Sequence, residues 1–350
     1  MTKTTLIIPT LNSEKYLNET LNSLSQNKKS IFKIFIIDAG SDDKTISIIK
    51  KTKLKKLYVF LLKANIAQSL DFGLSKAKTK YFSRIDSDDI AKKNRFKKQL
   101  NLLKNNKDLA VVGSNFSTIK DKKIISVSDL PLSHESIITK FLTDGDISLA
   151  HPATTLKVQC VKNVGGYENL DFSEDYNLWI KLIFKKYKIC NLVENLTDIR
   201  IHTSQKSEKT KEKTTKFMMH SYVEHVGKNL GIKLNSNYLK LLMIKYLKKD
   251  NLTKNEINKY YLNKFYITKK KFEYFQFKIN FEELISFELQ NINYRLNFFN
   301  FIYYFYKKKN YILKINKFIF KEKTNYFIFY FNFYIHFIFL ILKYFLVKFK

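Results

Sequence analysis

The sequence predicts an α/β protein built on a mostly parallel sheet with helices on both faces, followed by a mainly helical, aromatic- and lysine-rich C-terminal region. Three observations carry that prediction. Short apolar, β-branched runs alternate with helical patterns across the first 115 of 350 residues. The apolar runs are continuous rather than alternating, as in strands covered on both faces. Groups of polar residues follow the strands directly, where open parallel sheets bind their ligands.

Taken in order, Thr4 to Pro9 reads as the first strand, and Asn12-Ser13 as the cap of a helix facing inward with Leu17, Leu21 and Leu24. Phe32 to Ile37 reads as the second strand, and Asp42 to Lys51 as a helix carrying Ile46, Ile48 and Ile49. Leu57 to Leu62 is a third strand, Asn65 to Ala77 a helix and Tyr81 to Ile85 a fourth strand. Asn94 to Leu103 is a helix and Leu109 to Val112 a strand. Ser173 caps a further helix containing Leu178, Ile180, Leu182 and Ile183. Ser204 to Lys216 lacks apolar periodicity and reads as a charged loop. Helical spacing then returns from Phe217 to about Leu247, and residues 251–290 read as amphipathic helix.

Composition narrows the function. Hydrophobic residues make up 45% of the chain, enough to bury a core. Two cysteines, Cys160 and Cys190, exclude a disulfide-built scaffold and fit a reducing compartment. The apolar run in MTKTTLIIPT is too short for a signal peptide, so a cytoplasmic chain is expected. The 63 basic and 31 acidic residues leave a net charge of +32, nearly all of it lysine. Such a charge invites a nucleic-acid-binding reading, but arginines are few and no nucleic-acid module is present. An AT-rich genome is the alternative explanation for the lysine-heavy composition. The last 50 residues hold ten lysines against one acid, Glu322. Tyr326 to Leu342 is uncharged and close to spanning length, with lysines on both sides, which suits attachment to an anionic membrane surface. Packed helices and a true span are the alternatives.

Three strand ends carry chemistry: Pro9-Thr10-Leu11-Asn12, Asp38-Ala39-Gly40-Ser41-Asp42-Asp43 and Asp86-Ser87-Asp88-Asp89. The second also fits plain turn and helix-cap chemistry. The third concentrates acids that repel one another unless a cation offsets them, and hard divalent ions take such carboxylates together with phosphate oxygens. No GxGxxG or phosphate-loop motif occurs, so neither a dehydrogenase nor a kinase is supported.

From residue 4 to about 205 the chain resembles the family 2 glycosyltransferases, inverting nucleotide-sugar enzymes of the GT-A fold. The matching stretches are TLIIPTLNSEKYLNETLNSL, IFIIDAGSDDKT, NIAQSLDFGLSKAKTKYFSRIDSDDI, NRFKKQL, VVGSN, HPATTL, VGGYE, SEDYNLWIKL and IRIHTSQ, in the family's order. The resemblance implies that Pro9, Thr10, Asn12 and Glu14 line the nucleotide base and ribose, with Asp38 accepting from them and Ser41 beside it. It implies that Asn65 and Gln68 open a nucleotide-facing helix, that Arg84 contacts the diphosphate, and that Asp86 and Asp88 form the Asp-x-Asp motif. Asp88 would hold a divalent Mn²⁺ or Mg²⁺, with Asp86 and His202 near it and Arg200 closing over the diphosphate. Asp175, of the Glu174-Asp175 pair, would be the base. His151, Glu174 and Trp179 would lie on the acceptor side, with His151 either orienting the acceptor or packing. Gly165-Gly166-Tyr167 would form a turn that lets the backbone approach the donor sugar. Two departures stand out: Leu11 replaces the commoner Tyr, and Asp71 stands where Asn is common.

The expected organisation is a glycosyltransferase domain over 1–215, a helical extension over 216–290 and a basic aromatic segment over 291–350. The expected donor is a nucleoside-diphosphate sugar and the expected acceptor a glycan or lipid-linked glycan. The setting is surface polysaccharide or lipopolysaccharide synthesis, at the inner face of a bacterial cytoplasmic membrane, with no nucleic-acid partner. A nucleotidyltransferase of related fold is the main rival, since it would need neither the Glu174-Asp175 base nor the acceptor-side stretches.

Overall fold

A computed structural model describes residues 2–202 and 211–231, without side-chain detail for 142–144, 211, 212, 216 and 223. Strand β1 (Thr4–Thr10) lies between β2 (Ile31–Asp38) and β4 (Tyr81–Arg84), and β3 (Leu57–Leu61) forms the edge beyond β2; all these pairings are parallel. Helices α1 (Leu17–Leu24), α2 (Thr45–Lys51) and α3 (Ile66–Lys76) are the crossovers between them. Leu6, Ile7, Ile8, Ile36 and Ile37 are wholly buried, as their continuous apolar runs require.

Past β4 the sheet becomes mixed, so the expected mostly parallel arrangement holds for one half only. β8 (Thr155–Lys157) runs antiparallel between β4 and β6 (Leu109–Lys120), and β9 (Lys188–Arg200) pairs parallel with β6. The two-residue β5 (Ile90–Ala91) and β7 (Lys123–Val127) pair antiparallel with β9 and β6. β6 continues to Lys120, past the expected end at Val112, although Gly113, Ser114 and Asn115 break the apolar run. These polar residues are nevertheless buried, with Asn115 donating to the carbonyl of Val193 at 3.1 Å. The other late strands are too short or too polar to stand out.

Helices α4 (Arg95–Asn105), α5 (His134–Asp144), α6 (Val158–Asn163), α7 (Glu174–Phe184) and α8 (Lys211–Leu230) complete the described fold. A buried side-chain chain ties four elements together: Thr4 Oγ1 pairs with Ser83 Oγ at 2.9 Å, Ser83 with Thr155 Oγ1 at 2.7 Å, and Thr155 donates to Gln99 Oε1 at 2.8 Å. It fixes β1, β4, β8 and α4 in one register behind the strand ends, since each buried hydroxyl finds a partner only in that arrangement.

Several local expectations are corrected. Asn12 and Ser13 do not cap α1 through their side chains; its cap position is Tyr16. Ser173 precedes α7 in a left-handed conformation at φ 61° and makes no side-chain cap, because its hydroxyl donates instead to the carbonyl of Thr214 at 2.9 Å. The charged stretch expected as loop to Lys216 is helical from Lys211, because Met219, Tyr222 and Val226 supply a buried stripe further along the same helix. The expected helix beyond residue 231, the amphipathic 251–290 stretch and the 326–342 segment lie outside the described residues. Among the described residues, no helix is long and apolar enough to cross a membrane.

Candidate active site

The site lies at the carboxyl ends of β1, β2 and β4, where three loops meet. The first two loops interlock. Asn12 N–H donates to Ser41 Oγ at 2.9 Å, and Asp42 N–H donates back to Asn12 Oδ1 at 3.0 Å. Glu14 and the second loop repeat the exchange: Glu14 N–H donates to Asp43 Oδ2, and Lys44 N–H donates to Glu14 Oε2, both at 3.0 Å. Asp38 is fully buried and accepts from the N–H groups of Gly40 and Ser41 and from the Ser41 hydroxyl, the last at 2.6 Å. Thr10 is buried and donates to the carbonyl of Ile8, while Pro9 is half-buried. Asp38, Ser41, Asn12 and Glu14 thus hold the loops in shape, and Leu11 protrudes at 56% exposure.

The third loop carries the acids. Asp86, Asp88 and Asp89 bring carboxylate oxygens within 4.8 Å of one another. Burial and their neighbours' negative charge push the carboxyls of Asp88 and Asp89 upward. Asp89, absent from the expected metal set, is 1% exposed; its Oδ1 accepts from Arg200 N–H at 2.9 Å, while its Oδ2 is buried with no hydrogen-bond partner. A buried, unpartnered carboxylate oxygen beside two more carboxylates is a hard, all-oxygen donor set of the kind Mg²⁺ or Mn²⁺ takes. The residues present therefore fit a divalent metal, with Asp86, Asp88 and Asp89 to hold it. His202 Nε2 lies 2.9 Å from Asp88 Oδ2, and its ring packs on Tyr16 with centroids 4.9 Å apart.

Arg200, expected over the diphosphate, is 3% exposed. It donates to the carbonyl of Asp88 at 2.9 Å and to Glu19 Oε2 at 2.7 Å, and covers the Tyr16 ring at 4.4 Å. It clamps the backbone of the acidic loop from behind. The pairing of β5 with β9 brings Arg200 there, a long-range relation with no local sequence signal.

A second buried cluster joins the acidic loop to α7. Arg84, also expected at the diphosphate, is 5% exposed; its Nη2 is 2.8 Å from Asp86 Oδ1 and its Nη1 is 3.4 Å from Glu174 Oε1. Arg84 Nη1 also hydrogen-bonds His151 Nδ1, whose other nitrogen, Nε2, pairs with the Tyr167 hydroxyl at 2.8 Å. A guanidinium only donates, so Nδ1 must accept and the imidazole proton sits on Nε2. Burial and the Arg84 charge bring the His151 pKa down to about 3, which keeps the ring neutral. Trp179 packs edge-on against His151 at 5.3 Å. His151, Glu174 and Trp179 are all under 9% exposed, so they lie beneath the surface rather than lining a cleft. Asp175 is half-buried in the first turn of α7 and accepts from Tyr176 N–H at 2.7 Å. Burial, then the adjacent Glu174 charge, push its carboxyl upward against the opposing pull of the Arg84 guanidinium.

Asn65 and Gln68 form a reciprocal cap on α3, each side chain bonding the other's backbone N–H. Asn65 also donates to Asn169 Oδ1 at 2.8 Å. Tyr167 N–H donates to Asp71 Oδ1, and a Cβ on Gly166 would stand 2.3 Å from that same oxygen. The glycine turn therefore packs against α3.

Residues 5–157 match the sequence profile of Glycosyl transferase family 2. The chain carries a family 2 glycosyltransferase domain. An uncharacterized glycosyltransferase of Haemophilus influenzae is 26% identical over 70% of this chain and 81% of its own length. The O-antigen biosynthesis glycosyltransferase WbnJ of Escherichia coli is 28% identical over 55% of this chain and 78% of its own. The glycosyltransferase fold is shared with S. aureus TarS 1-349 in its complex with UDP-GlcNAc, at a TM-score of 0.54 and 18% identity over 74% of this chain and 78% of that one. The family 2 match ends before α7, so Asp175 and its buried supports stand in the part of the glycosyltransferase that the profile does not cover.

Proposed function

We propose that this glycosyltransferase is a metal-dependent, inverting enzyme that moves a sugar from a nucleoside diphosphate to a hydroxyl of a lipid-linked glycan, in bacterial surface polysaccharide or lipopolysaccharide synthesis at the cytoplasmic face of the membrane. The observation that carries it is the Asp86–Arg84–Glu174 bridge, which sets the acidic loop and the Asp175 helix on one frame. Asp175 takes the proton of the acceptor hydroxyl as that oxygen attacks the anomeric carbon from the face opposite the departing diphosphate. Burial and the adjacent Glu174 charge raise its pKa above the ordinary carboxylate value, which makes the ionised form a stronger base. Asp86, Asp88 and Asp89 would hold the divalent ion, which supplies Lewis-acid neutralisation of the leaving diphosphate. The interlocked β1 and β2 loops, with exposed Asn12 and Leu11, form the floor for the nucleoside. The O-antigen relative supports a surface glycan, and the UDP-GlcNAc-bound structural neighbour makes UDP the first nucleotide to try.

The test is thermal shift of the full chain against UDP, GDP, dTDP and CDP, each with Mn²⁺ or EDTA. A metal-dependent rise with one nucleotide supports the reading and names the base. A well-folded sample that responds to none of them overturns it.

A further inference from the structure

The edge of the sheet furthest from the base helix carries a surface that the transfer reaction does not use. β3 pairs only with β2, leaving its outer edge open. Along it Tyr58, Val59 and Leu61 are 43%, 40% and 73% exposed. Tyr58, Phe35, Phe60 and Phe72 form a continuous edge-to-face ladder with centroid separations of 6.0, 5.4 and 5.2 Å. Lysines lie over two of its rings, Lys33 at 4.6 Å from Tyr58 and Lys76 at 5.3 Å from Phe72, and Lys33 and Lys56 also lie 5.7 and 6.0 Å from Phe32, outside the ladder. From Lys44 to Leu70 the sequence holds seven lysines and no acid. Among the described residues, no ion pair involves any of them or Lys33 or Lys76.

We propose that this open β3 edge, with Tyr58 on one side of the strand and Val59 and Leu61 on the other, docks the catalytic domain on an anionic lipid bilayer. Uncompensated lysines answer the negative headgroups, and rings with a polar tip or a lysine over them suit the headgroup boundary. Val59 and Leu61 then enter the outer acyl region, a reward that a nucleic acid would not offer. Lysine rather than arginine fits a diffuse field of headgroups better than paired recognition of bases. The inference builds on the proposed lipid-linked acceptor, because it names the surface by which the enzyme reaches that acceptor. None of the acidic-loop or α7 residues takes part, so the two readings are tested separately.

The experiment is co-sedimentation of the full chain with phosphatidylcholine vesicles, with and without phosphatidylglycerol, at low and high salt. The native chain is compared with Lys33→Glu/Lys56→Glu/Lys76→Glu. An environment-sensitive fluorophore on Tyr58→Cys, in a Cys160→Ser/Cys190→Ser background, reports the local contact. We expect salt-sensitive binding to the phosphatidylglycerol vesicles, at least about tenfold weaker partition of the triple variant, and a blue shift at position 58. Native-like vesicle binding by the triple variant, or bound protein with no change at position 58, would place docking elsewhere and overturn the proposal. So would tighter binding to a DNA duplex than to the anionic vesicles. An unchanged metal-dependent nucleotide shift in the triple variant shows that its fold and donor site are intact; if the variant does not fold, the fluorophore decides. A native chain that binds vesicles but no nucleotide would refute the transferase mechanism and leave the docking face standing.

Discussion

Arg84 stands between two carboxylates, 2.8 Å from Asp86 on the acidic loop and 3.4 Å from Glu174 at the start of the base helix. One buried guanidinium thereby joins the group expected to meet the donor to the neighbour of the group expected to meet the acceptor. Removing one partner of a buried ion pair leaves the others uncompensated, so a neutral residue here costs stability and shifts the titration of the carboxyls around it.

The pH profile reports that bridge. As the proposed base, Asp175 acts only when ionised, so activity should fall as pH falls through its raised pKa. Arg84 holds that pKa down, and Glu174 pushes it up. Arg84→Gln should therefore move the acid limb of kcat to higher pH, Glu174→Gln should move it lower, and Arg84→Lys should leave it nearly in place while lowering kcat. Rate–pH curves of the three variants check the order.

Asp175→Asn should lower transfer by about 10² to 10⁴-fold and leave metal-dependent nucleotide binding unchanged. It should also raise the thermal midpoint at neutral and alkaline pH. A carboxyl whose pKa is raised by folding favours the folded state below its unfolded pKa and loses that contribution as pH rises through the folded value. The advantage of the asparagine should vanish in acid, as a series of melts across pH would show.

For His151 the sign is opposite. Its pKa falls to about 3 in the fold, so the neutral ring contributes stability that is present above its unfolded pKa and lost as pH drops from there toward the folded value. Its imidazole proton resonances should not titrate between about pH 8 and pH 5, where an ordinary histidine does. A midpoint near the ordinary value would mean that the Arg84–His151–Tyr167 cluster is not closed in solution.

Asp89→Asn keeps an oxygen for the Arg200 N–H and removes the charge of the unpartnered side. The Mn²⁺ concentration needed for the nucleotide-induced thermal shift should rise by roughly tenfold, with little change in the metal-free midpoint. An unchanged Mn²⁺ requirement would remove Asp89 from the metal site.

Gly166→Ala should destabilise the fold by about 1–3 kcal/mol, because φ is +71° and the new methyl would meet Asp71 Oδ1. Adding Asp71→Ala should recover part of the loss, which equilibrium unfolding of the single and double variants would measure.

The parallel half of the sheet was legible because its strands are buried on both faces and need unbroken apolar runs; the match from Thr4 to Arg84 is within a residue or two at the strands. β6 and β9 were not, since their polar residues find partners only across the sheet, as Asn115 does with Val193. At the site, Asp86 and Asp88 stand out by clustering at a strand end, whereas Glu174-Asp175 stands out only through the order of the family-like stretches around it. The support did not. Arg200 gives no local hint that it will hold the backbone of Asp88, and a histidine beside a proline does not disclose that it will be buried between an arginine and a tyrosine. Such residues act through fold-wide neighbours, and a linear pattern records only near ones.

The tie from Ser173 to Thr214 sets the size of the smallest useful fragment. A chain cut at residue 157, where the family profile stops, would keep the acidic loop and lose Asp175 altogether. A cut after His202 would retain Asp175 but strip away Met219, Tyr222 and Val226, which are buried on α8, together with the carbonyl that receives the Ser173 hydroxyl just ahead of α7. Truncation for crystallisation or for domain exchange with a homologue should therefore be placed beyond residue 231, with α8 treated as part of the catalytic unit and not as the first piece of a tail.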